Sequence, residues 1–279
     1  MKLRIKVPAT SANIGSGFDT IGMAVSLYNY FVFEPYGEEH SSLISKALHE
    51  TFRYKGVKPV PCAIYSESFI PSSRGLGSSA TCIVAGIAAA GVIMGRNLSK
   101  GEMFDIATKL EGHPDNVAPA IFGGIQVSSV LNGKPCHWRI SYSDAWDFVA
   151  LIPEKELSTK NSRAVLPEMI QRQSAVENIS NFGALIGALQ TGDEKLLRTG
   201  LEDNLHQPYR LPLIPQADEV ISKAKDMGAI GIYLSGAGST LMAVLKSGEG
   251  EDFSLKWKKE KWTARSLKIS EEGFEVRED

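Results

Sequence analysis

The stretch that most constrains this chain runs from Ala80 to Met94. Its core, Cys82–Met94, is 13 residues without a charged side chain or a strongly polar one. That is too long for an ordinary strand, and a membrane-spanning helix needs about 20 apolar residues. A helix that is apolar on every face must be buried on every face. The rest of the chain therefore has to wrap around it, and 279 residues are enough to do so without covalent staples. The length suits two domains or one large one.

Several function classes drop out early. The net charge of −2 leaves no basic excess for neutralising phosphate backbones, so no nucleic-acid partner is expected. The three cysteines, Cys62, Cys82 and Cys136, are odd in number and form no C-x-x-C pair. They read as reduced thiols in a reducing compartment. The histidines lack metal-ligand spacing. Lys2, Arg4 and Lys6 interrupt the first apolar residues, so no signal-peptide core is present and a cytoplasmic protein off the membrane is expected. The basic run Lys256–Lys261, with Trp257 inside it and Trp262 after it, reads as a solvated face with aromatic contacts rather than a binding patch.

Periodicity predicts strands over Leu3–Val7, Met23–Glu34, Cys62–Ser66, Ile125–Leu131, Asp147–Ile152, Ile230–Leu234 and Leu241–Leu245. Helices are expected over Ser42–Tyr54, Ala80–Met94, Ser99–Leu110, Ser174–Gln190, Asp193–Leu201 and Pro215–Met227, with Ser99 and Glu102 forming a capping box. Strands and helices mix without strict alternation, which predicts an α+β fold. The texture changes after Pro153, and a domain boundary is placed near residue 150, giving units of 1–150 and 151–279.

The segment feeding the apolar helix is Pro71-Ser72-Ser73-Arg74-Gly75-Leu76-Gly77-Ser78-Ser79-Ala80. Gly75 and Gly77 allow a tight turn and close approach to a ligand. Ser78 and Ser79 supply hydroxyls and suit a helix cap. The N–H groups at a helix start point outward with the positive end of the macrodipole, worth about 0.3–1 kcal/mol to an anion. A capped helix after a glycine turn would explain these residues without a ligand. The buried helix behind them tips the reading toward a rigid phosphate site. With no lysine between Lys58 and Lys100, it is not a Walker-type loop.

This segment resembles the P-x-x-x-G-L-G-S-S-A motif of the GHMP kinases. Two further motifs stand in the expected order: VPATSANIGSGFD (Val7–Asp19) and SGAGST (Ser235–Thr240). The first is similar to the form usual in the homoserine-kinase branch, as are EGHPDNVAP (Glu111–Pro119), STKNSRAVLP (Ser158–Pro167) and LHQPYR (Leu205–Arg210). Three departures occur. Ser16 stands for a proline, SGAGST for SGAGPS, and Ser162 for a common alanine, so doubt falls on loop rigidity rather than on chemistry.

The resemblance implies a two-domain fold, with an N-terminal nucleotide-binding α+β domain and a C-terminal ferredoxin-like α+β domain. It also implies transfer of the γ-phosphoryl of Mg-ATP to the side-chain hydroxyl of L-homoserine, a step of threonine biosynthesis. ATP and Mg²⁺ are then the implied cofactors, and a homodimer is compatible with the resemblance. Pro71 through Ala80 would hold the triphosphate, with Ser79 and Glu111 as metal ligands and Asp105 as a competitor for the carboxylate. Asn13, Asp19, His113, Arg163, Arg210 and Gly236 would bind substrate, and Asn116, Arg163 and Ser79 would act in catalysis. Taken alone, each arginine reads as a surface charge, and Asn13 and Asp19 as turn residues. Asn116 matches an aspartate of mevalonate kinase proposed there as general base. An asparagine cannot accept a proton near neutral pH, which implies catalysis by alignment and electrostatics. Two alternatives remain open: a GHMP kinase for another alcohol, such as a mevalonate-type acid, and a sensor that binds without turnover.

Overall fold

In the computed structural model, which describes residues 2–278, the chain opens on one long antiparallel hairpin. β1 (Leu3–Ala12) runs beside β2 (Ile21–Pro35). The first half continues through α1 (Leu43–Tyr54), β3 (Cys62–Ser68), α2 (Ser78–Ile93), α3 (Lys100–Glu111), α4 (Val117–Phe122), β4 (Ile125–Leu131) and β5 (Lys134–Ile140). The second half comprises β6 (Trp146–Pro153), α5 (Thr159–Ala164), α6 (Arg172–Thr191), α7 (Glu194–Gly200), α8 (Gln207–Arg210) and α9 (Ala217–Asp226). It ends with β7 (Gly231–Leu234), β8 (Leu241–Lys246), α10 (Gly250–Lys256), β9 (Trp262–Leu267) and β10 (Glu275–Glu278).

The first sheet has six strands in the order β10-β1-β2-β4-β5, with β3 on the C-terminal half of β2. Its inner face buries Leu3, Ile5, Val7, Phe31 and Phe33 against α1, α2 and α3. The all-apolar stretch of the sequence forms α2, and 11 of its 16 residues are buried. Small residues let it sit close to α1: a Cβ at Gly86 would stand 2.5 Å from the Ile44 carbonyl oxygen. β1 continues past Val7 to Ala12 with every residue buried, after a register shift between Pro8 and Ala9. The alternation ends there because both faces are covered.

The second sheet is antiparallel with the order β7-β8-β6-β9, the arrangement of a ferredoxin-like β-α-β-β-α-β unit. Trp146, Phe148 and Ala150 of β6 face α6 and α7, whereas Val149 and Leu151 face α9, α10 and the two tryptophans Trp257 and Trp262. Those tryptophans are buried while Lys256, Lys258 and Lys261 stay exposed. The α+β architecture is as expected. The division placed near residue 150 cuts through β6, however, and strand pairing puts the change of sheet ahead of Trp146. The composition change after Pro153 coincides with the end of that strand. β10 then returns the chain to the first sheet beside Leu3–Lys6. Among the described residues no helix is long and apolar enough to cross a membrane.

Candidate active site

The loop before α2 is held from several sides. Asn29, buried in β2, accepts the N–H groups of Phe69 (2.9 Å) and Ile70 (3.0 Å) on Oδ1 and donates to Thr81 Oγ1 (3.1 Å). This ties the loop's entry to the first turn of α2. Ser73, Gly75 and Gly77 all adopt positive φ. Gly77 is the N-cap in the left-handed region, with no side-chain cap, so Ser78 and Ser79 lie inside the helix rather than capping it. The leading N–H groups of α2 therefore remain uncapped by side chains at a rigid, glycine-framed helix start, which is where an anion binds best. Arg74 points elsewhere. Its guanidinium donates to the Pro153 (3.0 Å), Glu154 (2.5 Å) and Ser72 (2.7 Å) carbonyls and pairs with Glu156 at 3.2 Å. It clamps the loop to the second sheet instead of facing a phosphate.

The SGAGST turn completes the support. The Ser235 hydroxyl donates to the Gly75 carbonyl at 2.6 Å and lies 2.8 Å from Ser11 Oγ, which lies 3.0 Å from Tyr233 Oη. Each hydroxyl has one proton, so the chain runs in one direction, from Tyr233 through Ser11 and Ser235 to Gly75. A Cβ on Gly75 would stand 2.0 Å from the Ser235 carbonyl oxygen at a φ of +74°. Gly75→Ala is expected to lower the melting temperature by about 5–10 °C through overpacking and backbone strain. Calorimetry checks this, and a shift under 2 °C (roughly half a kcal/mol for a chain of this size) would show that the two loops are not in register through this contact.

Loop, turn and first segment enclose a cavity of about 130 Å³, lined by Asn13, Ser73–Ser79, Glu111, His113, Asp115, Asn116, Thr159, Arg163, Arg210, Gly236 and Ala237. On its acidic side Ser79 Oγ donates to Glu111 Oε2 at 2.9 Å. Burial pushes the Glu111 carboxyl above its usual range, partly offset by that hydrogen bond. Asp105 lies on an exposed face of α3 and does not line the cavity, whereas Glu111 does. His113 Nδ1 sits 3.0 Å from Oδ1 of the buried Asp115. Burial pulls the imidazole down, but the carboxylate outweighs it and holds the His113 pKa above its ordinary value. Asn116 Oδ1 accepts from the buried Thr10 hydroxyl at 2.8 Å, so the amide is pinned as well as non-basic.

The opposite side carries ligand-sized charge. Arg163 makes a two-pronged pair with Asp19, Nη1–Oδ2 3.1 Å and Nη2–Oδ1 2.8 Å. Arg210 is 1% exposed, and none of the ion pairs among the described residues includes it. It donates only to the Ser162 carbonyl (3.2 Å), the Gly236 carbonyl (3.3 Å) and His206 Nδ1 (3.4 Å). Burial first, and then the nearby Arg163 charge, push its pKa down to about 10. Asn13 is a frame residue: Nδ2 donates to the Gly236 carbonyl and Oδ1 accepts the Asp19 N–H, both at 2.8 Å. Of the residues marked in the sequence, Pro71, Ser72, Ala80 and Asp19 do not line the cavity; Asp19 adjoins it through its pair with Arg163, and Ala80 is packed in the core. Thr10, Asn29, Asp115, Thr159 and His206 were missed. Asp115 stands inside a quoted motif, but nothing local distinguishes a buried carboxylate from a turn aspartate.

The GHMP kinases N terminal domain model matches residues 42–124, and the GHMP kinases C terminal model matches 185–263. The homoserine kinase of Clostridium botulinum (strain Eklund 17B / Type B) is 40% identical over 97% of both chains. The chain belongs to the homoserine kinase family. That of C. botulinum strain 657 is also 40% identical, over 98% of both chains. The crystal structure of homoserine kinase from Cytophaga hutchinsonii shares the fold, with a TM-score of 0.86 and 24% identity over 99% of this chain and 97% of that one.

Against the motifs usual in homoserine kinases, each of the three departures adds a hydroxyl, and each hydroxyl is used. Ser16 donates to the Gly200 carbonyl at 2.8 Å, Ser162 to Ala237 at 2.6 Å and Ser239 to Lys155 at 2.7 Å. The doubt about loop rigidity is met by hydrogen bonds in place of a ring or a methyl group.

Proposed function

We propose that this kinase transfers the γ-phosphoryl group of ATP to the side-chain hydroxyl of L-homoserine. The Arg163–Asp19 pair beside the buried Arg210 carries this reading. The substrate is a zwitterion; Arg163 and Arg210 line the pocket, and the Asp19 carboxylate stands against Arg163 beside it. An ammonium can take Asp19 while a carboxylate takes Arg163 and Arg210, so opening the protein's own ion pair leaves neither charge unmatched. A ligand with a carboxylate alone would strand Asp19, a cost of about 1–3 kcal/mol or more.

The uncapped start of α2 supports a triphosphate placement along Ser73–Ser79. Ser79 and Glu111 fit a magnesium ion: both offer hard oxygen donors, and Mg²⁺ takes a carboxylate or two together with substrate phosphates. When bound there, the ion supplies charge neutralisation to the phosphates. In the transfer, the bond between the γ-phosphorus and the β–γ bridging oxygen breaks as one to the homoserine oxygen forms, ADP departs, and the hydroxyl proton passes to an oxygen of the transferred phosphoryl group. Asn116 cannot take that proton. His113, held toward its cationic form by Asp115, lines the same cavity, and the remaining work is alignment.

ADP release from Mg-ATP is the test, with L-homoserine, L-serine, L-threonine, mevalonate and shikimate as acceptors. L-Homoserine should be preferred, and Asp19→Asn should raise its KM by about 30-fold through loss of a charged hydrogen-bond partner. Preferred turnover of mevalonate, or of another acceptor lacking an ammonium, would overturn the substrate reading.

A further inference from the structure

Arg210 needs explaining as a built object. A long, fully buried side chain without an anionic partner is costly to hold and easy to misplace. One turn earlier, at the N-cap of the same short helix, stands His206, itself fully buried. Arginine can only donate, so the 3.4 Å contact between Arg210 Nη1 and His206 Nδ1 requires a lone pair on Nδ1. A carbonyl can only accept, so the 3.3 Å contact between Nε2 and the Gly15 oxygen requires the proton on Nε2. The two contacts together select a single neutral tautomer.

The ring is fixed from its other sides too. It stacks on Phe18 with centroids 5.1 Å apart and planes 21° apart, and the same Phe18 ring lies 5.0 Å from the Arg210 guanidinium carbon. Asp203 accepts the backbone N–H groups of His206 (2.9 Å) and Gln207 (2.7 Å), holding the start of the helix, and its Oδ2 lies 3.5 Å from Nε2. Burial first, reinforced by Arg210 and opposed by Asp203, drives the imidazole pKa down to about 4, so the ring stays neutral at physiological pH.

We propose that His206 is a positioning residue: its Nδ1 lone pair, aimed by Gly15 and Phe18, holds the Arg210 guanidinium against the cavity so that a substrate carboxylate meets it in a fixed orientation. Among the described contacts Nε and Nη1 are engaged by the protein, which leaves Nη2 to the ligand. The inference rests on the homoserine reading for its ligand, but the Arg210–His206 geometry stands without it.

His206→Phe keeps the ring stack and deletes both nitrogens. His206→Gln retains a donor near Nε2 and loses the Nδ1 acceptor, and His206→Asn keeps an acceptor near Nδ1. His206→Phe and His206→Gln should raise the KM for L-homoserine by about 30-fold, the loss of one charge-assisted hydrogen bond. The KM for ATP should stay within about twofold, and His206→Asn should restore most of the loss, since only the Nδ1 contact is at stake. With aminopropanol, which is homoserine without its carboxylate, parent and variants should perform alike. A parallel rise in the KM for ATP, an unchanged KM for homoserine, or an equal loss with aminopropanol would overturn the proposal. NMR of the arginine guanidinium groups in ligand-free protein decides it independently of substrate. Rotation of the Arg210 group should be hindered in the parent and in His206→Asn, and freed in the other two. Identical rotation throughout would overturn the positioning role. A parent that ignores homoserine would overturn only the functional reading.

Discussion

Arg210→Met should fold at least as stably as the parent while losing about 1000-fold in kcat/KM for L-homoserine. Both halves follow from one observation. The guanidinium is buried at 1% exposure, with only two carbonyls and an imidazole nitrogen as acceptors. Its pKa of about 10 records how poorly burial and Arg163 suit the cation. Replacing an uncompensated buried charge with an apolar side chain of similar length is neutral or stabilising, by about 1–4 kcal/mol where charged clusters have been exchanged this way. Removing a buried charge that a ligand carboxylate pairs with costs about 2–5 kcal/mol of binding, or roughly 30- to 4000-fold. The loss should fall on the KM for homoserine and leave the KM for ATP in place. Thermal unfolding and initial rates together check it. A melting temperature that falls along with the activity would mean that Arg210 holds the fold rather than the ligand.

Glu111→Gln should lower kcat by about 100- to 1000-fold, the scale expected when a group that stabilises transition-state charge is removed. The amide is isosteric and still accepts the Ser79 hydroxyl at the position where Oε2 now does, so stability should change little. It cannot supply the negative charge that a magnesium ion needs, and raising Mg²⁺ should recover part of the rate. The pH profile separates this from simple misplacement. Burial raises the Glu111 carboxyl above its ordinary range in the metal-free protein, so kcat/KM, which reports the free enzyme, should fall on the acid side at a higher pH than a solvent-exposed glutamate would give. That limb should be absent from the variant, because the amide does not titrate. A Glu111→Gln enzyme with the parent's profile would remove Glu111 from the reaction.

Much of this fold is legible from periodicity. The β4 bounds Ile125–Leu131 were read correctly, as was the α3 capping box of Ser99 and Glu102. What escaped has recognisable causes. β5 carries Lys134, Pro135 and Arg139 on a partly exposed edge, so its residues do not alternate cleanly. β9 hides its strand character because Thr263 and Arg265 face outward between buried Trp262 and Leu267. β10 is short and polar, and is a strand only because Leu3–Lys6 lies beside it. In the site, the turn before α2 is readable because glycines encode backbone geometry locally. Asn29, Thr10 and His206 were not, because their roles depend on partners 20 or more residues away in sequence, or on a ring orientation set by burial. Arg74 shows the converse: it sits inside the motif, yet its charge is spent on carbonyls 79 and 80 residues downstream.

One core cluster contains Ile14, Ile21, Met23 and Ile125 from the first half of the chain together with Trp146, Phe148, Met242 and Val244 from the second sheet. Prising the halves apart would wet these side chains at about 1.5–3 kcal/mol each. Exposing only four of them would cost about 6–12 kcal/mol, comparable to the whole stability of a domain. A clamshell hinge between the sheets is therefore closed to this protein. Whatever motion a turnover requires falls on short, polar pieces such as α5.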